Sequence, residues 1–279
     1  MNNKQLEFLV DTALREDIPE GDITSEALIS PESYSKAIIM AKQKGVLAGI
    51  DVAELVFKRI DDSVCFEKKA NDGQKFNKSD ILAYLEGKTV SILKGERVAL
   101  NFLQRMSGVA TLTSKFVERI EGAKTQILDT RKTTPGIRAL EKYAVRMGGG
   151  KNHRMSLSDM VLIKDNHLTI VGSISKAIKK VRQKIKPGIK IEVETKNLDE
   201  VKQALDGGAD IIMLDNMTLG EIERAVKIVK GRVPLEISGN INLNNIRQIA
   251  QLGVDYISIG RLTHSYKSID ISLEILKGD

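Results

Sequence analysis

Between residues 126 and 259 the chain alternates, without a break, between short apolar runs and amphipathic stretches. The runs lie at 126–128, 160–163, 189–193, 211–214, 233–237 and 256–259, and the segments between them carry apolar residues at helical spacing. Parallel strands cannot be joined by tight turns. Each needs a crossover, usually a helix, so this half of the chain is restricted to a parallel sheet with helices packed on it. An internal echo narrows the choice: Asn197-Leu198-Asp199-Glu200-Val201 through Gly208-Ala209-Asp210-Ile211-Ile212 recurs 45 positions later (242 − 197) as Asn242-Leu243-Asn244-Asn245-Ile246 through Gly253-Val254-Asp255-Tyr256-Ile257. Two strand–helix units at a fixed period are what a β/α barrel supplies.

The N-terminal part reads differently. Leu6, Leu9, Val10 and Leu14 mark an amphipathic helix over 3–15, followed by a turn-rich stretch at 17–22. Short β-like runs then appear at 37–40, 45–48, 64–66, 81–84 and 89–92, with 51–60 as the one helical segment among them, which suggests an α+β domain. From Gly95 the pattern changes, and 96–121 reads as a long helix with Leu100, Leu103, Met106, Ala110, Phe116, Val117 and Ile120 on one face. The first helix of the alternating region is expected to start at Thr134-Pro135, where proline suits a first helical turn.

Composition excludes several classes. The 279 residues are 42% hydrophobic and 29% charged, enough apolar surface for a real core and too much for a disordered chain. No apolar run approaches the ~20 residues that a membrane-spanning helix needs. The first residues show no signal-peptide pattern, so a cytoplasmic protein is expected. The single cysteine, Cys65, cannot form an internal disulfide or a thiolate metal site. The formal charge of 43 − 37 = +6 points to an anionic partner, nucleic acid or a phosphorylated small molecule. Only 4% aromatic residues and no long basic block argue against nucleic acid.

In a β/α barrel, function gathers where the strands end. The ends here are Thr130-Arg131-Lys132, Lys164-Asp165, Glu194, Asp215-Asn216, Ser238-Gly239-Asn240 and Gly260-Arg261. One charge after a strand is usually just a solvated loop, but four in register form a pattern. The densest segment, 129–166, adds Arg138, Lys142, Arg146, Lys151, His153 and Arg154, the last two after three consecutive glycines. Arginine forks clamp carboxylates and lysines act as point charges for phosphate, so this collection wants a polyanion. Ser238-Gly239-Asn240 and Gly260, on the last two strands, suit a phosphate cradle of backbone N–H groups. Glu194 and Asp215 suit Mg²⁺, sugar hydroxyls or a developing oxocarbenium ion, with salt bridges to nearby cations as the plainer alternative. Gly87-Lys88-Thr89 resembles the end of a P-loop, but Leu82 stands where its first glycine belongs. His153, His167 and His264 lack the spacing of a metal triad on one element.

The runs Arg97-Val98-Ala99-Leu100-Asn101, Met106-Ser107-Gly108-Val109-Ala110-Thr111, DTRKTTPG, GGGKNHR, LIKDNH, IEVET, LDN and ISGNI together resemble the quinolinate phosphoribosyltransferase family. This is the decarboxylating nicotinate-nucleotide pyrophosphorylase group of the type II phosphoribosyltransferases, which act in NAD synthesis. The resemblance extends to the turn Glu20-Gly21-Asp22-Ile23-Thr24 and covers nearly the whole chain; Met155 and Ser156 depart from the commoner Leu-Gly after NHR. A related protein of molybdate-transport operons shares the fold but tends to lose the Asn-His-Arg and Lys-Asp-Asn-His patterns, both intact here.

The resemblance implies an N-terminal α/β sandwich domain (1–108) and an open, seven-stranded α/β barrel (109–265), with the tail 266–279 returning to the first domain. It implies that Arg97, Arg131, His153, Arg154 and Lys164 surround quinolinate, and that Lys132 lies between quinolinate and phosphoribosyl pyrophosphate. Glu194 and Asp215 would meet ribose hydroxyls and Mg²⁺, directly or through water. Ser238, Gly239, Asn240 and Gly260 would hold the 5′-phosphate. It further implies a homodimer, in some members a hexamer of dimers, in which Arg97 crosses into the partner's site.

Overall fold

The computed structural model describes residues 3–277. Along the chain run α1 (Asn3–Asp17), α2 (Ile23–Leu28), β1 (Tyr34–Ala41), β2 (Gly45–Val46), α3 (Ile50–Ile60), β3 (Cys65–Lys68), β4 (Lys75–Phe76), β5 (Ile81–Lys88) and α4 (Thr89–Arg119). Then follow β6 (Gln126–Leu128), α5 (Arg138–Met147), β7 (Val161–Ile163), α6 (Asp165–Val171), α7 (Ile174–Arg182), β8 (Ile191–Thr195) and α8 (Leu198–Asp206). The chain closes with β9 (Ile211–Asp215), α9 (Leu219–Val229), β10 (Leu235–Ser238), α10 (Ile246–Ala250), β11 (Tyr256–Ser258), α11 (Arg261–His264) and β12 (Ile271–Ile275). They form two compact units. One holds the chain up to Ser114, Thr134–Gly149 and the residues from Ser265 onward; the other holds Lys115–Thr133 and Gly150–His264.

In the first unit a four-stranded antiparallel sheet has the order β12-β1-β5-β3, so the C-terminal strand forms an edge beside β1. Ala37, Ile39, Ala41, Leu82 and Ala83 are fully buried on these strands. The run 89–92, expected as a strand, is instead the start of α4. Ile92, Gly95 and Ala99 repeat at helical spacing and are all buried, and tertiary packing overrides the β preference of the Thr-Val pair. Gly95 does not break this helix. It lets α4 lie against Phe57, whose ring would be 2.6 Å from any added Cβ. The helix expected from Thr134 begins at Arg138, because Gly136 adopts a φ of +84° that no right-handed helix accepts. Gly148 serves close packing too: an added Cβ would stand 2.3 Å from the carbonyl oxygen of Ala110 on α4.

The second unit carries the six apolar runs as six parallel strands in the order β6-β11-β10-β9-β8-β7. A single parallel bridge between Leu128 and Lys151 adds a one-residue seventh position beyond β6. The repeat seen in the sequence has a physical counterpart. Asp210 accepts the Ile191 N–H at 2.7 Å and Asp255 accepts the Leu235 N–H at 2.8 Å, so each repeat's aspartate fixes the start of the neighbouring strand. Val193, Ile212, Leu214, Ile237 and Ile257 are buried on one face of the sheet. The parallel register and period-two alternation put Glu192, Glu194, Met213, Asp215, Glu236 and Ser238 on the opposite face.

Candidate active site

The second unit brings eleven of the twelve expected site residues together on its strands and strand ends. The twelfth, Arg97, belongs to the first unit, on α4. Its side chain is 60% exposed, with the guanidinium 3.8 Å from Glu96.

The cationic part is built from Arg131, after β6, and His153-Arg154, before β7. Asp129, fully buried, holds the backbone of this second segment: it accepts the His153 N–H at 2.9 Å and the Asn152 amide at 2.5 Å. Arg154 donates to the carbonyl of Met160 at 2.9 Å. Burial, and then the charge of nearby Arg131, pull the Arg154 guanidinium down from its usual range. Two cations therefore share a half-buried place against their mutual repulsion, and the Arg131 Nε is buried with no protein partner. An arrangement of that kind is stabilised by an anion.

Lys164, at the end of β7, reaches Glu194 on β8 with Nζ 2.7 Å from Oε2. This is the salt bridge that the sequence left open for Glu194, and it places that carboxylate at the border of the cationic group. His167 has a local role, its Nδ1 accepting the Lys164 N–H at 3.0 Å at the first turn of α6.

Along the rim, Asp215 ends β9 in register with Ser238 on β10. Asn216 donates to Asp215 at 3.0 Å and accepts from the Asn240 amide at 3.0 Å. Gly239, at φ +99°, passes so close to Asn216 that a Cβ would meet its Oδ1 at 2.1 Å. Lys132 lies across Gly260, whose added Cβ would be 3.0 Å from Lys132 Cδ, and the Lys132 carbonyl accepts from Thr263 Oγ1 at 2.8 Å. Glu194 and Asp215 offer hard carboxylate oxygens on adjacent strands of one face, a donor set that fits Mg²⁺, which keeps most of its waters and takes only one or two carboxylates.

Sequence reasoning missed the acids beneath this surface. Glu192 and Glu236 are 0% and 1% exposed, and His153 Nε2 lies 2.9 Å from Glu192 and 3.7 Å from Glu236. Burial pushes Glu192 up to about 7 and Glu236 up to about 8, the latter helped by the negative charge of Glu192. The signal was present, since each interrupts a run that otherwise reads as apolar: Ile191-Glu192-Val193 and Leu235-Glu236-Ile237.

Comparison with known proteins fits this geometry. Residues 22–107 match the family profile "Quinolinate phosphoribosyl transferase, N-terminal domain", and 109–274 match the corresponding C-terminal domain. A probable nicotinate-nucleotide pyrophosphorylase [carboxylating] of Bacillus subtilis is 42% identical over 99% of this chain and 95% of its own length. A mitochondrial quinolinate phosphoribosyltransferase [decarboxylating] of Nicotiana tabacum is 44% identical over 97% of this chain and 82% of its own. The nicotinate-nucleotide pyrophosphorylase structure from Francisella tularensis superposes with a TM-score of 0.94 at 43% identity, covering 99% of this chain and 98% of that one. With both halves matched in order and a group of cations bordered by two carboxylates at the strand ends, the chain belongs to the quinolinate phosphoribosyltransferase family.

Proposed function

We propose that this protein transfers the phosphoribosyl group of phosphoribosyl pyrophosphate to quinolinate, giving nicotinate mononucleotide, pyrophosphate and CO₂ in NAD synthesis. The observation that carries the reading is the Arg131–Arg154 pair, two cations sharing a half-buried place with the Arg131 Nε unpartnered. A pyridine dicarboxylate supplies two negative charges at a fixed separation, which suits paired arginine forks better than a single carboxylate does.

In this reading Arg131, His153, Arg154 and Lys164 orient quinolinate so that its ring nitrogen faces C1 of the ribose. Lys132 stands between the two substrates, and Ser238, Gly239, Asn240 and Gly260 hold the 5′-phosphate. Attack of the nitrogen forms the N-glycosidic bond and breaks the bond to pyrophosphate; the C2 carboxylate then leaves as CO₂, its bonding pair stays on C2, and C2 takes up a proton from solvent. Glu194 and Asp215 bind ribose hydroxyls and favour the positive charge that develops on the ribose ring. The same two residues would hold Mg²⁺, which when bound supplies charge neutralisation for the departing pyrophosphate.

Arg97 acts, in this reading, in the site of a partner subunit of a cytoplasmic homodimer. The fate of the two substrates tests the main proposal: purified protein with phosphoribosyl pyrophosphate, Mg²⁺ and carboxyl-labelled quinolinate releases labelled CO₂ in step with nicotinate mononucleotide. Absence of both products would overturn it.

A further inference from the structure

Two acids in the sheet interior are left unexplained by substrate binding. Glu192 and Glu236 sit on β8 and β10, and one oxygen of each, Oε1, is buried with no hydrogen-bond partner. Burying a carboxyl with an unmade hydrogen bond is costly, so a pair of them beside each other calls for a reason. Packing alone would be served better by leucine. The other oxygens supply the reason, because both face the same atom, Nε2 of His153, at 2.9 Å from Glu192 and 3.7 Å from Glu236.

His153 is held from two directions. Its backbone N–H is fixed by Asp129 at 2.9 Å, and its ring, 7% exposed, ends on Glu192. A histidine ring anchored only through its backbone can flip or change tautomer. One that donates from Nε2 to a buried carboxylate has its orientation and its protonated nitrogen set together. We infer that Glu192, backed by Glu236, is a positioning residue that fixes the ring orientation of His153 and keeps a proton on its Nε2, so that the histidine meets the pyridine dicarboxylate in one geometry.

The inference rests on the proposed quinolinate site for its functional half, but its structural half stands apart. Neither glutamate touches substrate in this account; both act through His153. Glu236 stands farther from His153 Nε2, at 3.7 Å against 2.9 Å for Glu192, so its loss has a smaller effect than loss of Glu192.

The chain has three histidines, so ¹⁵N-histidine labelling of the whole protein gives a spectrum that His153→Asn assigns by subtraction. Without substrate, His153 Nε2 is expected to carry a proton. Glu192→Leu averages the ring between tautomers, whereas Glu192→Gln keeps an acceptor oxygen and preserves the wild-type pattern. In turnover, Glu192→Leu raises the quinolinate KM roughly tenfold or more, the scale of losing a hydrogen bond to a charged group, with the phosphoribosyl pyrophosphate KM within about twofold of wild type. Glu192→Gln recovers most of that loss, and Glu236→Leu, which removes the second acid facing Nε2, shows a smaller rise of the same kind. An unprotonated Nε2 in the wild-type protein would overturn the inference, as would a His153 signal unmoved by Glu192→Leu or an equal rise in both KM values. If Glu192→Leu does not fold, Glu192→Ala and Glu236→Leu decide by the same two readouts. Wild-type protein that ignores quinolinate yet shows the predicted His153 spectrum would sink the functional proposal and leave the positioning intact.

Discussion

Asn240 donates its side-chain amide to the Oδ1 of Asn216 at 3.0 Å, and both residues hold left-handed backbone, at φ 53° and 54°. The bond ties the loop after β10 to the loop after β9 and closes over Gly239. Since Asn216 also donates to Asp215, it links the carboxylate proposed to meet the ribose with the small-residue rim beside it. Asparagine tolerates this conformation where alanine pays a penalty of roughly 1 kcal/mol or more. Asn216→Ala is therefore expected to loosen the rim and raise the KM for phosphoribosyl pyrophosphate several-fold. Quinolinate binding, followed by calorimetry, should stay within about twofold of wild type; a larger loss on the quinolinate side would contradict this assignment.

Close helix packing predicts a stability effect away from the site. Gly148→Ala would place a Cβ 2.3 Å from the Ala110 carbonyl oxygen and 2.6 Å from Thr113 Cβ. Overpacking of this kind costs typically about 1–3 kcal/mol, because α4 and α5 must separate. Urea unfolding should show the loss as a lower midpoint with an unchanged slope. A midpoint equal to wild type would mean that the two helices have slack.

The buried carboxyls set a pH dependence. Glu236 is raised from an ordinary 4.5 to about 8, so the folded protein binds more protons than the unfolded chain across that interval. Stability from this group is present at the acid side and is lost as pH rises towards 8. Glu236→Gln should flatten the decline in Tm between pH 5 and pH 8, about the span of the shift, leaving the variant relatively more stable at the alkaline end. Parallel Tm profiles for the two proteins would show that Glu236 is not held protonated.

Much of this architecture is legible in the residues because backbone periodicity is a local property. Six apolar runs separated by helical stretches become six parallel strands, and the echo at Asp210 and Asp255 becomes the same hydrogen bond made twice. The start of α4 is not legible, since Thr89-Val90-Ser91-Ile92 favours a strand locally and is turned helical by packing around Phe57. Charges at strand ends announce themselves because they break an apolar run at its edge. Glu192 and Glu236 break runs in the middle, where a lone acid reads as noise until the register shows that both face His153.

The proposed role of Asp215 beside the ribose predicts a kinetic signature. Glu194 is already committed to Lys164 at 2.7 Å, so its removal also frees a cation; Asp215 is the cleaner probe. Asp215→Ala is expected to lower kcat by roughly tenfold or more while quinolinate affinity stays near wild type, because the charge it opposes develops only in the transition state. Retained kcat with lost quinolinate affinity would place Asp215 at the other end of the site.

The central claim is that the cationic group of Arg131, Arg154 and Lys164 is made for two carboxylates on one ring. The direct test is to compare kcat/KM for quinolinate and nicotinate under identical phosphoribosyl pyrophosphate and Mg²⁺, following nicotinate mononucleotide. A monocarboxylate leaves one of these half-buried cations without its charged hydrogen-bond partner, a loss of about 2–3 kcal/mol, so nicotinate should be used roughly a hundredfold less well. Equal kcat/KM values for the two acids would contradict the account.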